Sequence, residues 1–234
     1  MAPLDKDPIQ IGQMFSALAG RYDRANRWLS FFQDQRWRTA VVCWAAPQAG
    51  DRVLDLCTGT GDLALEFARK AEVQVTGVDI STEMLALARK KAEQAACAER
   101  VHLETANAME LPYTEDTFDI ATIAFGLRNL PDYEGGLAQI YRVLKPGGQL
   151  LILEFSQPRG IWGKLYLLYL RHLLPLLGGW ITGQQAPYRY LDESIRRFPG
   201  REDLSTLLAA VGFEQVAFKP LSGGIALIHR GMKP

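Results

Sequence analysis

The sequence predicts an α/β fold: a doubly wound, mostly parallel seven-stranded sheet that ends in an antiparallel hairpin. Two observations predict it. Between residues 50 and 156, short β-branched runs alternate with helical stretches, the rhythm of parallel βαβ units. Beyond residue 200 the rhythm changes to one helix and two strand-like runs flanking Ser222-Gly223-Gly224, and strands joined by such a turn pair antiparallel.

The elements follow in order. Strands are expected at Arg52–Leu56, Gln74–Asp79, Val101–Thr105, Ile120–Ala124 and Gln149–Phe155. Helices are expected at Asp62–Lys70, at Thr82–Ala98 behind a Ser81 cap, and at Tyr133–Leu144, which stops before Pro146-Gly147-Gly148. Leu204–Val211 reads as a helix halted by Gly212, followed by strands at Phe213–Lys219 and Ile225–Arg230. With 234 residues, the chain suits one large domain. Within it we expect a helical lid over 1–48, a cofactor-binding core over 50–156, an apolar substrate or lid insertion over 157–200, and the last helix and hairpin over 201–234.

Charge and composition exclude several functions. The 26 basic and 26 acidic residues cancel, which removes the electrostatic footprint of a nucleic-acid binder and favours a neutral or apolar substrate. Cys43, Cys57 and Cys97 have neither disulfide nor zinc-site spacing, and His102, His172 and His229 form no metal constellation, so no metal is expected. No secretory signal is read at the start, and a cytoplasmic protein is expected. The apolar stretch 161–181 is interrupted by Lys164, Arg171, His172, Pro175 and Gly178-Gly179, short of the ~20 apolar residues of a membrane span. Its narrow polar stripe suits a membrane surface, a substrate tail or a homodimer contact, which would put the protein at the inner face of the membrane in the first case.

A nucleotide-like cofactor is implied by Asp55-Leu56-Cys57-Thr58-Gly59-Thr60-Gly61-Asp62, which sets an acid at a strand end and two glycines before a helix. Gly59-x-Gly61-x-x-Ala64, with Asp79 about 20 residues on, also satisfies the relaxed dinucleotide fingerprint, so NAD is a rival. S-adenosylmethionine is favoured because Asp55 offers an anion to a methionine amino group and sulfonium, whereas Asp55 and Asp62 repel a diphosphate. Asp79 is placed to accept both ribose hydroxyls, Ile80 to cover the adenine, and Asn107 to bond its edge.

Four separated blocks carry a resemblance. They are Tyr22-Asp23-Arg24-Ala25-Asn26-Arg27-Trp28-Leu29-Ser30, Phe125-Gly126-Leu127-Arg128-Asn129-Leu130, Arg142 through Ser156, and Tyr188-Arg189-Tyr190-Leu191-x-Glu193-Ser194-Ile195 with Ala226 through Gly231. Over nearly its whole length the sequence resembles the menaquinone/ubiquinone biosynthesis C-methyltransferase family. It departs from that pattern at Ala25, Asp34, Asn107 and Ala124, where Met, His, Asp and Ser are usual in the family or its wider class. The resemblance implies the class I S-adenosylmethionine methyltransferase fold, with cofactor contacts at Thr60, Asp79, Asn107, Ala108 and Ala124 beside the Asp55, Gly59, Gly61 and Ile80 read from the loop.

It also implies a polyprenylated quinol as substrate: demethylmenaquinol, or a methoxy-polyprenyl-benzoquinol. A phenol-like pKa near ~10 means the ring hydroxyl needs help to ionise at neutral pH. Arg128 and Asn129 are expected to orient or stabilise that oxygen, with Tyr22, Asp23 and His172 as further candidates. Another small apolar acceptor (a phenol, sterol or lipid) and a non-catalytic nucleotide-binding role are the alternatives.

Overall fold

The computed structural model describes residues 12, 13, 16, 27, 30, 32–95, 97–158, 160, 163, 166, 168–174, 176 and 186–234. Helix α1 (Gln33–Ala45) precedes strand β1 (Arg52–Leu56), α2 (Asp62–Lys70), β2 (Gln74–Asp79), α3 (Thr82–Gln94), β3 (Val101–Thr105) and β4 (Phe118–Ala124). Then come α4 (Tyr133–Val143), β5 (Leu144–Phe155), α5 (Ala186–Arg197), α6 (Arg201–Val211), β6 (Glu214–Leu221) and β7 (Ala226–Met232).

The seven strands lie in the order β3-β2-β1-β4-β5-β7-β6. Strands β1 to β5 run parallel, with Leu54 opposite both Thr76 and Ala121, and β7 inserts antiparallel between β5 and β6. This is the mixed sheet with a closing hairpin that the sequence predicts. The strand order reverses at β1 and β4, and a crevice opens outside their carboxyl ends, where doubly wound sheets bind ligands.

Both faces of the sheet are covered. Val53, Val75, Leu151 and Leu153 pack under α1 to α3, whereas Leu54, Leu56, Leu150 and Ile152 pack under α4 and α6. Alternate residues of one strand therefore serve opposite cores, which explains why Leu150–Leu153 is continuously apolar. A third cluster joins Leu170 and Leu174 to Tyr188 and Ile195 of α5.

Several boundaries differ from expectation. Strand β5 starts at Leu144, not Gln149, because Leu144 pairs with Phe118 and the main chain of Lys233 bonds both Gly147 and Gly148 at 2.8 Å. Helix α3 ends at Gln94, four residues early, where the Ala95 N–H is shared between the carbonyls of Lys91 and Ala92 and the last turn tightens. Helix α6 starts three residues earlier than expected, its first turn carrying Glu202 and Asp203 at the positive end of the helix dipole. Most of the expected lid (1–48) before α1, and much of the 157–200 insertion, lie outside the described residues.

Candidate active site

The residues after β1, β2, β3 and β4 meet around one cleft, whose space is about 810 Å³ when the solvent in its open mouth is included. Cys57 and Gly59 form one wall, Asp79 and Ile80 a second, Ala106 to Met109 a third, and Ala124 to Gly126 with Asn129 to Pro131 a fourth. Among the described residues that line it, Asp79 alone is charged.

Backbone geometry makes this cleft. The chain leaves β1 with Cys57 at φ 52, Gly59 at φ 57 and Gly61 at φ 80, and leaves β4 with Phe125 at φ 57. Left-handed angles at Cys57 and Phe125 are costly for side-chain-bearing residues and persist where surrounding structure enforces them. Gly126 permits the two loops to touch, since a Cβ there would lie 2.5 Å from the Cys57 Cβ.

Asp79 organises the loop. One carboxylate oxygen accepts from the Gly59 N–H at 2.8 Å and the other from the Ser81 N–H at 2.9 Å, while Ser81 caps α3 by accepting from the Met84 N–H. Each oxygen keeps a lone pair for a ligand hydroxyl. Burial raises the Asp79 carboxyl above its ordinary range, opposed by these backbone hydrogen bonds. Asn107 accepts from the Met109 N–H at 3.0 Å, which leaves its amide hydrogens for a ligand edge.

Asp55 is also central but sits beneath the cleft wall instead of on it. It is 1% exposed and accepts from Thr58 at 2.6 Å and Thr122 at 2.7 Å, and burial lifts its carboxyl to about 6 against both hydrogen bonds. Thr60 and Gly61 likewise do not line the cleft. Lys91 of α3 donates to Thr60 at 2.9 Å and to Asp62 at 2.6 Å, so it ties the glycine loop to the neighbouring helix.

The two candidates after β4 diverge. Asn129 lines the cleft, whereas Arg128 is buried and pairs with Glu154 of β5 at 2.9 Å. Arg128 also donates to the Phe125 carbonyl, so the pair holds the loop. Asn129 is met from α5 by the Tyr190 hydroxyl, which donates to its Oδ1 at 3.1 Å. Tyr133 stands in the same neighbourhood, its phenol pushed up to about 12 by burial and by the Glu154 charge. Tyr22 and Asp23 lie outside the described residues, and His172 is exposed on a π-helical turn over Tyr169–Leu173.

Sequence reasoning missed Cys57, Met109, Phe125 and Pro131 as cleft walls, and Glu154, Lys91 and Tyr190 as supports. An acid within the apolar run Leu150–Phe155 was the one available signal that a buried cation faces Glu154. No group of three or more His, Cys, Asp or Glu able to hold a metal occurs among the described residues.

The cleft fits S-adenosylmethionine better than a dinucleotide. Asp79 suits a ribose diol, Ile80, Met84 and Ala108 offer apolar surface to a flat base, and no Lys or Arg is present among the described residues that line the cleft to meet a diphosphate.

Comparison with known proteins points the same way. Residues 4–233 match the ubiE/COQ5 methyltransferase family. A demethylmenaquinone methyltransferase of Thermus thermophilus is 48% identical over 94% of this chain and all of that protein. A ubiquinone/menaquinone biosynthesis C-methyltransferase UbiE of Geobacter sulfurreducens is 45% identical over 96% of this chain and 88% of its own. Among solved structures, the [4+2]-cyclase SpnF superposes with TM-score 0.73 at 22% identity, over 100% of this chain and 97% of its own. A SAM-dependent methyltransferase of Thermotoga maritima superposes with TM-score 0.68 at 20% identity, over 95% of this chain and 99% of its own. These two likenesses establish the fold alone.

Proposed function

The chain belongs to the ubiE/COQ5 methyltransferase family, and from that premise we propose that it transfers a methyl group to a ring carbon of a polyprenylated quinol, demethylmenaquinol before any benzoquinol. It is an S-adenosylmethionine-dependent methyltransferase. The observation that carries the substrate reading is the 48% identity, over the whole of its length, to the Thermus demethylmenaquinone methyltransferase.

When bound, S-adenosylmethionine supplies a methyl group already activated for transfer by its sulfonium. The protein's part is to bind, align and ionise the acceptor. Gly59, Asp79, Ile80, Asn107, Ala108 and Ala124 hold the cofactor in this reading, and Asp55, Thr60 and Gly61 shape the loop from behind. Asp55 adds a buried negative potential that favours a cationic ligand. Asn129, which lines the cleft, donates an amide hydrogen to the ring oxygen of the acceptor and stabilises the phenolate left when the hydroxyl proton passes to solvent water. The ortho carbon, made nucleophilic, takes the methyl and then gives its own proton to solvent, which restores the aromatic ring. Arg128 acts one step back: its charge is spent on Glu154 and on the Phe125 carbonyl, and it fixes the loop that carries Asn129. Tyr22 remains a candidate for the same oxygen, on the strength of the family block that contains it.

The lipid tail explains a further feature. From Phe155 to Leu191 the sequence has four cations, Arg159, Lys164, Arg171 and Arg189, and no acid. Leu168, Leu173 and Leu176 are exposed. Among the described residues no helix is long and apolar enough to cross a membrane. We assign the face that carries Leu168, Leu173 and Leu176 to the membrane surface that stores the substrate, in preference to a homodimer contact.

The test is methyl transfer from labelled cofactor to chemically reduced demethylmenaquinol, beside the oxidised quinone and a methoxy-benzoquinol. Label only in the reduced naphthoquinol is expected. Transfer to none of them, with cofactor binding intact, overturns the quinol assignment.

A further inference from the structure

Helix α5 reaches the cleft through one hydroxyl, and the bonding rules of an amide decide what that hydroxyl does. Asn129 presents one amide atom to the Phe125 carbonyl at 3.4 Å and the other to Tyr190 at 3.1 Å. A carbonyl only accepts, so the atom facing Phe125 is nitrogen, and Oδ1 is left to accept from Tyr190. The main chain is held as well, the Asn129 N–H donating to Gly126 at 3.0 Å. One amide hydrogen is thus committed to Phe125. The second has no partner among the described residues, on a side chain that lines the cleft.

We propose that Tyr190 is a positioning residue for the acceptor: by occupying Asn129 Oδ1, it aims the remaining amide N–H at the ring oxygen that must ionise. Burial pushes the Tyr190 phenol up, so the hydroxyl keeps its proton at neutral pH and stays a donor to Asn129. It cannot then serve as the base that deprotonates the acceptor. Without the hydroxyl, the amide loses one of its two fixed partners and turns about its terminal bond, and the donor is no longer aimed. The inference rests on the reading of Asn129 given above.

The test uses 1-naphthol as a redox-stable probe, bound to the full chain with S-adenosylhomocysteine present, its ionisation followed by absorbance as pH is raised. Wild type is expected to hold the probe's pKa below its free value. Y190F, which keeps the ring, and N129A should each raise it and each lower kcat/KM about tenfold, the size of one hydrogen bond to a charged oxygen. The Y190F/N129A double variant should be no worse than N129A alone, because both changes act through the same amide donor. S-adenosylhomocysteine binding and the urea midpoint of Y190F should match wild type.

A Y190F protein with wild-type probe pKa and kcat/KM, beside an impaired N129A, overturns the inference and leaves the Asn129 reading standing. So do losses that multiply in the double variant. An N129A protein indistinguishable from wild type removes the Asn129 reading itself, and the inference with it.

Discussion

Arg128 and Glu154 face each other at 2.9 Å with side chains only 5% and 2% exposed, an ion pair sealed between the β4 loop and the end of β5. Burial raises the Glu154 carboxyl, and the Arg128 charge opposes that. Removal of one partner strands the other charge, so R128A and E154A should each cost about 3–5 kcal/mol of stability in urea unfolding. The double change R128M/E154L should recover most of it, since no buried charge remains. Activity should stay low in the double variant, because Arg128 also donates to the Phe125 carbonyl that sets the loop. A fully active R128M/E154L protein would contradict the positioning role.

Asp55 predicts a pH dependence of stability with a definite sign. Its carboxyl titrates near 6 in the folded chain against 3.8 ordinarily, chiefly through burial. Between those values the folded chain keeps a proton that the unfolded chain has lost, so this group's contribution falls as pH rises. About 3 kcal/mol, present below pH ~4, should be gone above pH ~6. Other carboxylates slope the opposite way, and the difference between wild type and D55N isolates Asp55. Urea unfolding at pH 4, 5, 6 and 7 measures it; parallel curves for the two proteins would mean that Asp55 is ionised throughout.

Much of the fold is legible because its signals are local. β1, β2, β3 and α2 coincide with their expected spans, since each is an apolar run or amphipathic stretch bounded by charge, glycine or a cap. Lys145-Pro146-Gly147-Gly148 reads as a turn, yet Leu144–Phe155 forms one strand. The bonds that extend it come from Lys233, more than 80 residues away. In the site, Gly59, Asp79 and Asn107 are visible as strand-end motifs. Asp55 and Arg128 are visible as residue types, but which way they point depends on Thr122 and Glu154 in other strands. Tyr190 is not visible as a support at all, because its partner Asn129 lies 61 residues earlier.

Gly126 makes the contact between the β1 and β4 loops a test of packing. An added methyl would meet Cys57 Cβ at 2.5 Å, Cys57 Sγ at 2.9 Å and Ile123 Cγ1 at 3.1 Å. G126A should cost about 1–3 kcal/mol in urea unfolding, the usual cost of overpacking. C57G should relieve it: the substitution removes the obstructing Cβ and suits φ 52 at that position. C57A should not, because it keeps the Cβ. Equal midpoints for G126A/C57G and G126A/C57A would place the strain elsewhere.

Asp79 carries two tasks that substitution can separate. Asn in its place keeps one acceptor but turns an NH₂ toward either Gly59 N–H or Ser81 N–H, both donors. D79N should therefore distort the loop as well as lose a charged acceptor for ligand hydroxyls. Cofactor affinity, measured calorimetrically with S-adenosylhomocysteine, should fall about 10–100-fold, as expected for one or more hydrogen bonds to a carboxylate. An unchanged affinity would mean that Asp79 serves the loop alone.

The exposed leucines of the 168–176 segment give the last prediction. Leu168, Leu173 and Leu176 are 58%, 49% and 61% exposed, beside exposed Arg171 and His172, in a stretch without acids. Each leucine that enters the acyl region contributes about 1.5–3 kcal/mol, and each nearby cation adds about 1 kcal/mol on an anionic surface. Binding to vesicles containing phosphatidylglycerol should therefore exceed binding to neutral phosphatidylcholine vesicles and weaken with salt. L168S/L173S/L176S should lose vesicle binding and raise KM for a long-tailed quinol, while kcat/KM for a tail-less naphthol stays near wild type, since the cleft is untouched. If the triple variant instead binds vesicles normally but changes from dimer to monomer in light scattering, the face belongs to a second copy of the chain.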